Sequence, residues 1–262
     1  MTEAVDTSQH SSASLLRPSI PGDPFQKIKE QFNISPKEWT IKWDKDIKTM
    51  SSLRDHAASK GYGFMVQGGY AVEVHCGGII TRPHQDMDLA YLRNRGENYD
   101  QEHETVEVES ILGKETHTKW KRHEPQKPGK IDIREVAPGV PFEKKRMIEI
   151  GLGYSRNPNK GHVMKLYDSQ GQAYEFNVED IGEMVANKVR MLIEKAGVQG
   201  QRPTKQQDID EIQRLVSQPH FNQHQTLMYL SDYYKYSEKL SDEEALKRAN
   251  ETWIKAFQIK IG

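Results

Sequence analysis

Cysteine is nearly missing from this chain. Cys76 is the only one in 262 residues, so no disulfide can form within the molecule, which fits a reducing cytoplasm. A lone thiol of this kind is a small apolar filler before it is a nucleophile. Long apolar runs are missing as well. No stretch approaches the roughly 20 residues that cross a bilayer, and the first residues lack the apolar middle of a secretory signal. With 35% hydrophobic and 29% charged residues and a mean hydropathy of −0.83, the expectation is a soluble protein with a modest core, a very polar surface and no membrane contact. Charge of one sign is also lacking. Lys and Arg number 37 against 38 Asp and Glu, which removes a global basic field for nucleic acid and leaves only local patches. No internal repeat and no zinc-type Cys/His spacing appears, and the ten histidines are scattered.

What is present is concentrated between Gly68 and Leu89. Gly63 to Gln67 is a short apolar run that reads as a buried strand, and Gly68-Gly69 lets the backbone turn sharply and approach a ligand. Tyr70 to Cys76 then reads as a short helix ended by Gly77-Gly78. The unpaired amides and the dipole at its start favour phosphate oxygens. Asp86 to Tyr91 reads as a second strand, in which the period of two puts Asp86 and Asp88 on one face and Met87, Leu89 and Tyr91 on the other. Two carboxylates so close repel unless a cation joins them, and magnesium takes oxygen ligands of this kind together with substrate phosphates. Asp44-Lys45-Asp46 and Asp208-Ile209-Asp210 repeat the spacing, but only Asp86 and Asp88 follow a Gly-Gly turn within an apolar strand, where unpaired charge is costly.

Around this stretch the chain divides into a tail over 1–22, a catalytic unit over 23–178 and a helical C-terminal unit over 179–262. Phe25, Ile28 and Phe32 have helical spacing, Ser35-Pro36 reads as a helix start, and a second helix is expected from Ile47 to Ser59. The stretch from Arg93 to Glu109 reads as a solvated helix, with Val106, Val108, Ile111 and Leu112 marking its buried end or a following strand. Thr116 to His123 and Lys130 to Val136 read as a hairpin, and Asp132 between Ile131 and Ile133 is the candidate third carboxylate. Residues 139–160 show no clear element, and 156–161 read as a turn-rich loop. Val163 to Tyr167 and Ala173 to Val178 suggest another hairpin. Asp180 and Glu183 make a capping-box start for a helix that Gly197 ends, and Lys188 falls within its apolar stripe of Ile181, Met184, Val185, Val189, Leu192 and Ile193. Beyond Pro219, two or three further helices are expected, and Ser241 to Glu244 is a strong helix start. Tyr229, Tyr233, Tyr234 and Tyr236 read as packing residues first and as stacking residues of an acceptor pocket second.

The order Gly68-Gly69-x-Ala71, then His75, then Arg82-x-His84-x-Asp86-x-Asp88-Leu89 resembles the nucleotidyltransferase superfamily, in particular its aminoglycoside and lincosamide nucleotidyltransferases and its abortive-infection toxins. The resemblance implies an α+β fold, a mixed sheet flanked by helices with a C-terminal helical bundle. It implies a nucleoside triphosphate as donor, about two magnesium ions held by Asp86, Asp88 and a third acid at Asp132, and pyrophosphate as product. Gly68, Gly69, Arg82, His84 and Lys188 would meet the nucleotide, with His75 and His84 also structural. In the toxin-like branch the acceptor would be RNA, tRNA or protein, with a small antitoxin-like protein as partner. In the antibiotic-modifying branch it would be a small hydroxylated molecule. Arg190 and Lys195 follow Lys188 as in the toxins, but the later Lys-Asp-x-x-Asp pattern survives only in part, with Asp208 at its last position and Lys205 where the first acid would stand. The alternative is a catalytically silent protein on the same fold that binds a nucleotide or a partner.

Overall fold

Among the described residues, seven strands form one mixed sheet. They are β1 (Gly63–Val66), β2 (Asp86–Arg93), β3 (Lys119–Arg122), β4 (Lys130–Val136), β5 (Met147–Tyr154), β6 (His162–Tyr167) and β7 (Ala173–Val178), in the spatial order β3-β4-β5-β2-β1-β7-β6. The computed structural model describes residues 36–78, 84, 86–93, 100–124, 126–139, 146–154, 162–194 and 206–258, without the side chains of 36–40 and 154. The expectations for the 1–22 tail, Phe25, Ile28, Phe32, Ser35, Arg82, the 156–161 loop, Lys195, Gly197 and residues 202–205 lie outside the described residues.

β2 is the hub of the sheet. It pairs antiparallel with β1 and parallel with β5, whose other edge pairs antiparallel with β4. The registers Leu89↔Ile150↔Ile131 and Met87↔Ile148↔Ile133 align three strands of alternating sequence, so their apolar residues share one face and are all buried. β5 lies in the stretch that showed no clear element in the sequence. Its alternation of Ile148, Ile150 and Leu152 is broken up by Gly151 and Gly153, which weaken a strand signal.

The apolar face is covered by α1 (Pro36–Ser59) and α3 (Gln101–Thr116). Trp43, Ile47, Met50, Leu53 and Ala57 of α1 recur at helical spacing and are all buried, at about 1.5–3 kcal/mol for each large side chain removed from water. No glycine or proline interrupts residues 37–59, so one helix runs where a separate second helix was expected from Ile47. In α3, Asp100 caps the start by accepting the His103 amide at 3.0 Å, and Val108 and Leu112 face the core while Val106 is 49% exposed. The α2 helix (Gly68–His75) sits between the first two strands in sequence.

After β7 the chain turns helical, with α4 (Ile181–Glu194), α5 (Gln206–Val216), α6 (Gln223–Ser237) and α7 (Asp242–Gln258). Asp180 accepts the amides of Gly182 at 2.8 Å and Glu183 at 3.3 Å and so starts α4. Ser241 and Glu244 complete a reciprocal capping box at α7. α4, α6 and α7 pack on one another around Leu230, Tyr234, Ala245, Ala249 and Trp253, and α5 joins this bundle to α2. The architecture is α+β, a mixed sheet flanked by helices with a helical bundle following it. Among the described residues no helix is long and apolar enough to cross a membrane.

Candidate active site

β1 ends at Val66, and the chain turns through Gly68 into α2. Gly68 has φ +58°, and a Cβ on it would lie 2.0 Å from Asp88 Oδ2, so both its backbone conformation and its contact with Asp88 require glycine. The Gln67 amide donates to the Asp88 carbonyl at 2.8 Å, locking the turn onto β2. Gln67 stands at the N-cap without a side-chain hydrogen bond, so no cap residue takes the first amides of α2. A helix start with uncapped amides is an anion site when a ligand reaches it.

On β2, Asp86 and Asp88 lie on the face opposite Met87, Leu89 and Tyr91, which are each 2% exposed or less. The neighbouring strand adds a third carboxylate that sequence reasoning missed. Glu149 on β5 is the cross-strand partner of Asp88, on the same face of the sheet. Its setting, Ile148-Glu149-Ile150, is the same signal that marked Asp132, and it lay unread in a segment with no clear element. Burial pushes the Asp88 carboxyl up to about 7, and the charges of Asp86 and Glu149 push in the same direction, against Lys130 and Lys188.

Asp132 faces the same side, but its register partner is Glu149, so β5 separates it from Asp88. Two strand spacings place it roughly 9–10 Å from the β2 carboxylates. It sits 3.6 Å from Arg134 Nε, and Lys130 beside it bonds to Glu149. The place next to the Asp86–Asp88 pair belongs to Glu149.

The segment between β7 and α4 adds a further carboxylate. Glu179, just past β7, is anchored by its amide to the Val66 carbonyl at 3.0 Å and is 8% exposed. Burial pushes its carboxyl up to about 7, followed by the charge of Glu183; Lys188 acts against this shift and Asp88 adds to it. Lys188 therefore stands within electrostatic reach of both Asp88 and Glu179. Its Nζ is tied to Glu211 Oε2 of α5 at 2.5 Å, a partner that the apolar stripe did not reveal. Asp208 occupies the first turn of that same α5.

His84 is placed away from solvent, 2% exposed. Its ring lies 4.5 Å from that of Tyr70 and its Nε2 is 3.2 Å from Glu73 Oε1. Glu73 is fully buried. Burial raises its carboxyl, but the hydrogen bonds from His84 and Arg214 outweigh this and hold it at about 2. His75 is likewise built in, with Nε2 2.8 Å from the Glu179 carbonyl and Nδ1 3.1 Å from His220. Both histidines brace α2 from below.

Beside Glu183 a cavity of about 240 Å³ opens between α4 and α6, lined among others by Asn187, Arg190, Tyr229, Tyr233 and Tyr236. Arg190 lies over the Tyr233 ring at 4.0 Å. Tyr234 is buried in the core and takes no part, so the four tyrosines divide three to one between the cavity and packing.

No family model matches the chain, and no curated protein matches it by sequence. Among solved structures it is similar to the antibiotic-resistance factor ANT(2'')-Ia, at a TM-score of 0.46 and 10% identity over 75% of this chain and 95% of that one. It is also similar to JHP933 from Helicobacter pylori, at 0.42 and 12% over 86% and 94%, and to a proposed nucleotidyltransferase from H. pylori, at 0.40 and 14% over 87% and 99%. Likenesses of this size carry no argument about activity, which has to come from the site's own residues.

Proposed function

We propose that this protein is a magnesium-dependent nucleotidyltransferase, moving a nucleoside monophosphate from a nucleoside triphosphate to an acceptor hydroxyl. The observation that carries this reading is the contact of Asp88 with Gly68. It joins a carboxylate cluster to the uncapped start of a helix, which brings a cation site and a phosphate site together. The donor set fits magnesium. Asp86, Asp88 and Glu149 offer oxygen alone, and the burial that raises the Asp88 carboxyl to about 7, with the repulsion of Asp86 and Glu149 added to it, is what a divalent cation offsets.

Asp86, Asp88 and Glu149 would hold the metal, with Asp132 one strand further out. When bound, it supplies positive charge against the phosphate oxygens of the donor. The amides of Gly68 and Gly69 bind phosphate oxygens of the triphosphate. Glu179, whose carboxyl stands at about 7, takes the proton of the acceptor hydroxyl near neutral pH. The acceptor oxygen forms its bond to the α-phosphorus as the bond to the β-phosphate oxygen breaks, and pyrophosphate leaves. Lys188 neutralises charge on the leaving group once it exchanges Glu211 for phosphate. Positioning supplies much of the rate. The cavity of Tyr229, Tyr233 and Tyr236 beside Glu183 is the entry for the acceptor, whether an RNA end, a protein side chain or a small hydroxylated molecule.

The test is release of pyrophosphate and transfer of label from each of the four α-labelled triphosphates with magnesium. The acceptors are total RNA, the protein itself and a panel of hydroxylated compounds, and the control is Asp86→Ala. Label transferred by the native chain and lost in the variant is expected. Magnesium-dependent nucleotide binding without transfer to any acceptor overturns the reading and leaves the silent binding protein, and equal turnover by a folded Asp86→Ala protein overturns the role of the carboxylate cluster.

A further inference from the structure

The face of β2 opposite Asp86 and Asp88 carries a second cluster of ligand-type side chains, where α1 meets α3. His56 comes from the last turns of α1, and Glu104 and Glu107 come one turn apart from α3. His56 Nε2 and Glu104 Oε2 are each enclosed and without a hydrogen-bond partner, and Glu107 Oε2, also enclosed, is met by the Lys60 ammonium. The nitrogen stands 3.6 Å from the Glu104 oxygen and 3.8 Å from the Glu107 oxygen, and one ligand atom from each residue lies within 4.8 Å of the other two. Such separations are too long for hydrogen bonds. They approach the edge of a tetrahedron of ligands around one ion, about 3.3 Å for bonds near 2.0 Å.

The remaining groups around the cluster hold it open. Glu104, whose side chain is 3% exposed, is oriented through its other oxygen by Tyr62 Oη at 2.5 Å and Arg93 Nη2 at 3.3 Å. Its free oxygen is thereby aimed at His56. Glu107 Oε1 receives Lys60 Nζ at 2.8 Å and faces His103 Nε2 at 3.3 Å. Lys60 also lies 2.7 Å from Glu107 Oε2, and its side chain is 30% exposed, so its ammonium can withdraw to water when another cation arrives.

We propose that His56, Glu104 and Glu107 form a second metal site, for a first-row transition ion of the zinc class, which fastens α1 to α3. An imidazole nitrogen beside two carboxylates suits such an ion. The oxygen-only set of Asp86, Asp88 and Glu149 suits magnesium, so the two faces of β2 select different metals. The site is structural, since Tyr91, whose ring lies 6.2 Å from His56, points to the core face and away from Asp88. The rival arrangement uses no metal. A protonated His56 would sit between the two glutamates as an ion pair.

The experiment uses the full chain, stripped of metal with a chelator, in an Asp86→Asn/Asp88→Asn background so that only the second site is counted. Zinc is titrated against a chromophoric chelator, cobalt(II) is followed by its visible absorption, and Tm is measured with and without zinc. One equivalent of zinc bound, cobalt absorption and a zinc-dependent rise in Tm are expected. His56→Gln should weaken zinc binding about a hundredfold and abolish that rise. Glu104→Gln should do the same. If it fails to fold through loss of the Tyr62 and Arg93 contacts, His56→Gln still decides. No zinc binding, or zinc binding and a Tm rise unchanged by His56→Gln, overturns the proposal. A Tm lowered by His56→Gln equally with and without zinc establishes the ion pair and overturns it too.

Discussion

Asp44-Lys45-Asp46 on α1 and Asp86-Met87-Asp88 on β2 are the same pattern in two kinds of backbone, and they end in opposite electrostatic states. A helix turns its second aspartate about 200° from the first, so each finds its own partners. Asp44 accepts the Ser169 amide at 2.8 Å and hydroxyl at 2.6 Å. Asp46, 1% exposed, receives Lys42 at 2.6 Å, Tyr70 Oη at 2.5 Å and Arg146. Burial raises its carboxyl, yet the charges of Lys42 and Arg146 and the hydrogen bonds from Lys42 and Tyr70 bring it below its ordinary value. A strand instead keeps its two aspartates on one face, where β5 adds Glu149 and burial leaves Asp88 at about 7. A buried carboxylate that is fully matched is structural. One that is buried against its own kind is waiting for a cation.

The comparison breaks first at Asp88. Asp88→Asn should lower transfer by a factor of about 10³ or more, on the order of 4 kcal/mol of barrier, in a protein that still folds. Asp46→Asn should do the reverse. It leaves Lys42, Tyr70 and Arg146 around an uncharged group and should cost roughly 3–5 kcal/mol in denaturant unfolding, while turnover per folded molecule stays near the native value. Sharper still is the sign of the stability change at Asp88 itself. Its folded carboxyl ionises at about 7, above its unfolded value, so at pH 8 without metal the charge opposes folding. Asp88→Asn should therefore raise metal-free stability by roughly 4 kcal/mol, where Asp46→Asn lowers it.

Glu73 extends the comparison to pH. Held at about 2 when folded against an ordinary value of 4.5, it adds stability that is complete above 4.5. That contribution of about 3 kcal/mol should be lost as pH falls from 4.5 to about 2, and Glu73→Gln should flatten that part of the stability profile. The smallest effect belongs to Asp44→Ala, which removes the partner of the Ser169 amide and hydroxyl and should cost about 1 kcal/mol, with transfer unchanged.

Much of the site was legible in the sequence because its geometry is local. Gly68-Gly69 before a short helix, and two aspartates two residues apart in an apolar strand, need no distant contact to declare a turn and a charged face. Glu149 was not legible, although Ile148-Glu149-Ile150 carries the same alternation as Ile131-Asp132-Ile133. Two strands with one pattern compete for the place beside β2, and only sheet order separates them. The single helix over Pro36–Ser59 was hidden for a different reason. A separate helix start at Ile47 has no backbone cause, since residues 37–59 hold no glycine or proline.

The sequence by itself determined the elements and their faces, because periods of 2 and 3.6 and the capping residues are properties of neighbouring positions. It marked Asp86 and Asp88 as a pair, and Lys188 as out of place on an apolar stripe. The tertiary structure alone decided which charges meet. It set β5 rather than β4 beside β2, tied Lys188 to Glu211, and brought His56 to Glu104 and Glu107, which lie 48 and 51 positions further along the chain. Electrostatic energy depends on distance and burial, and neither is defined until the chain has folded.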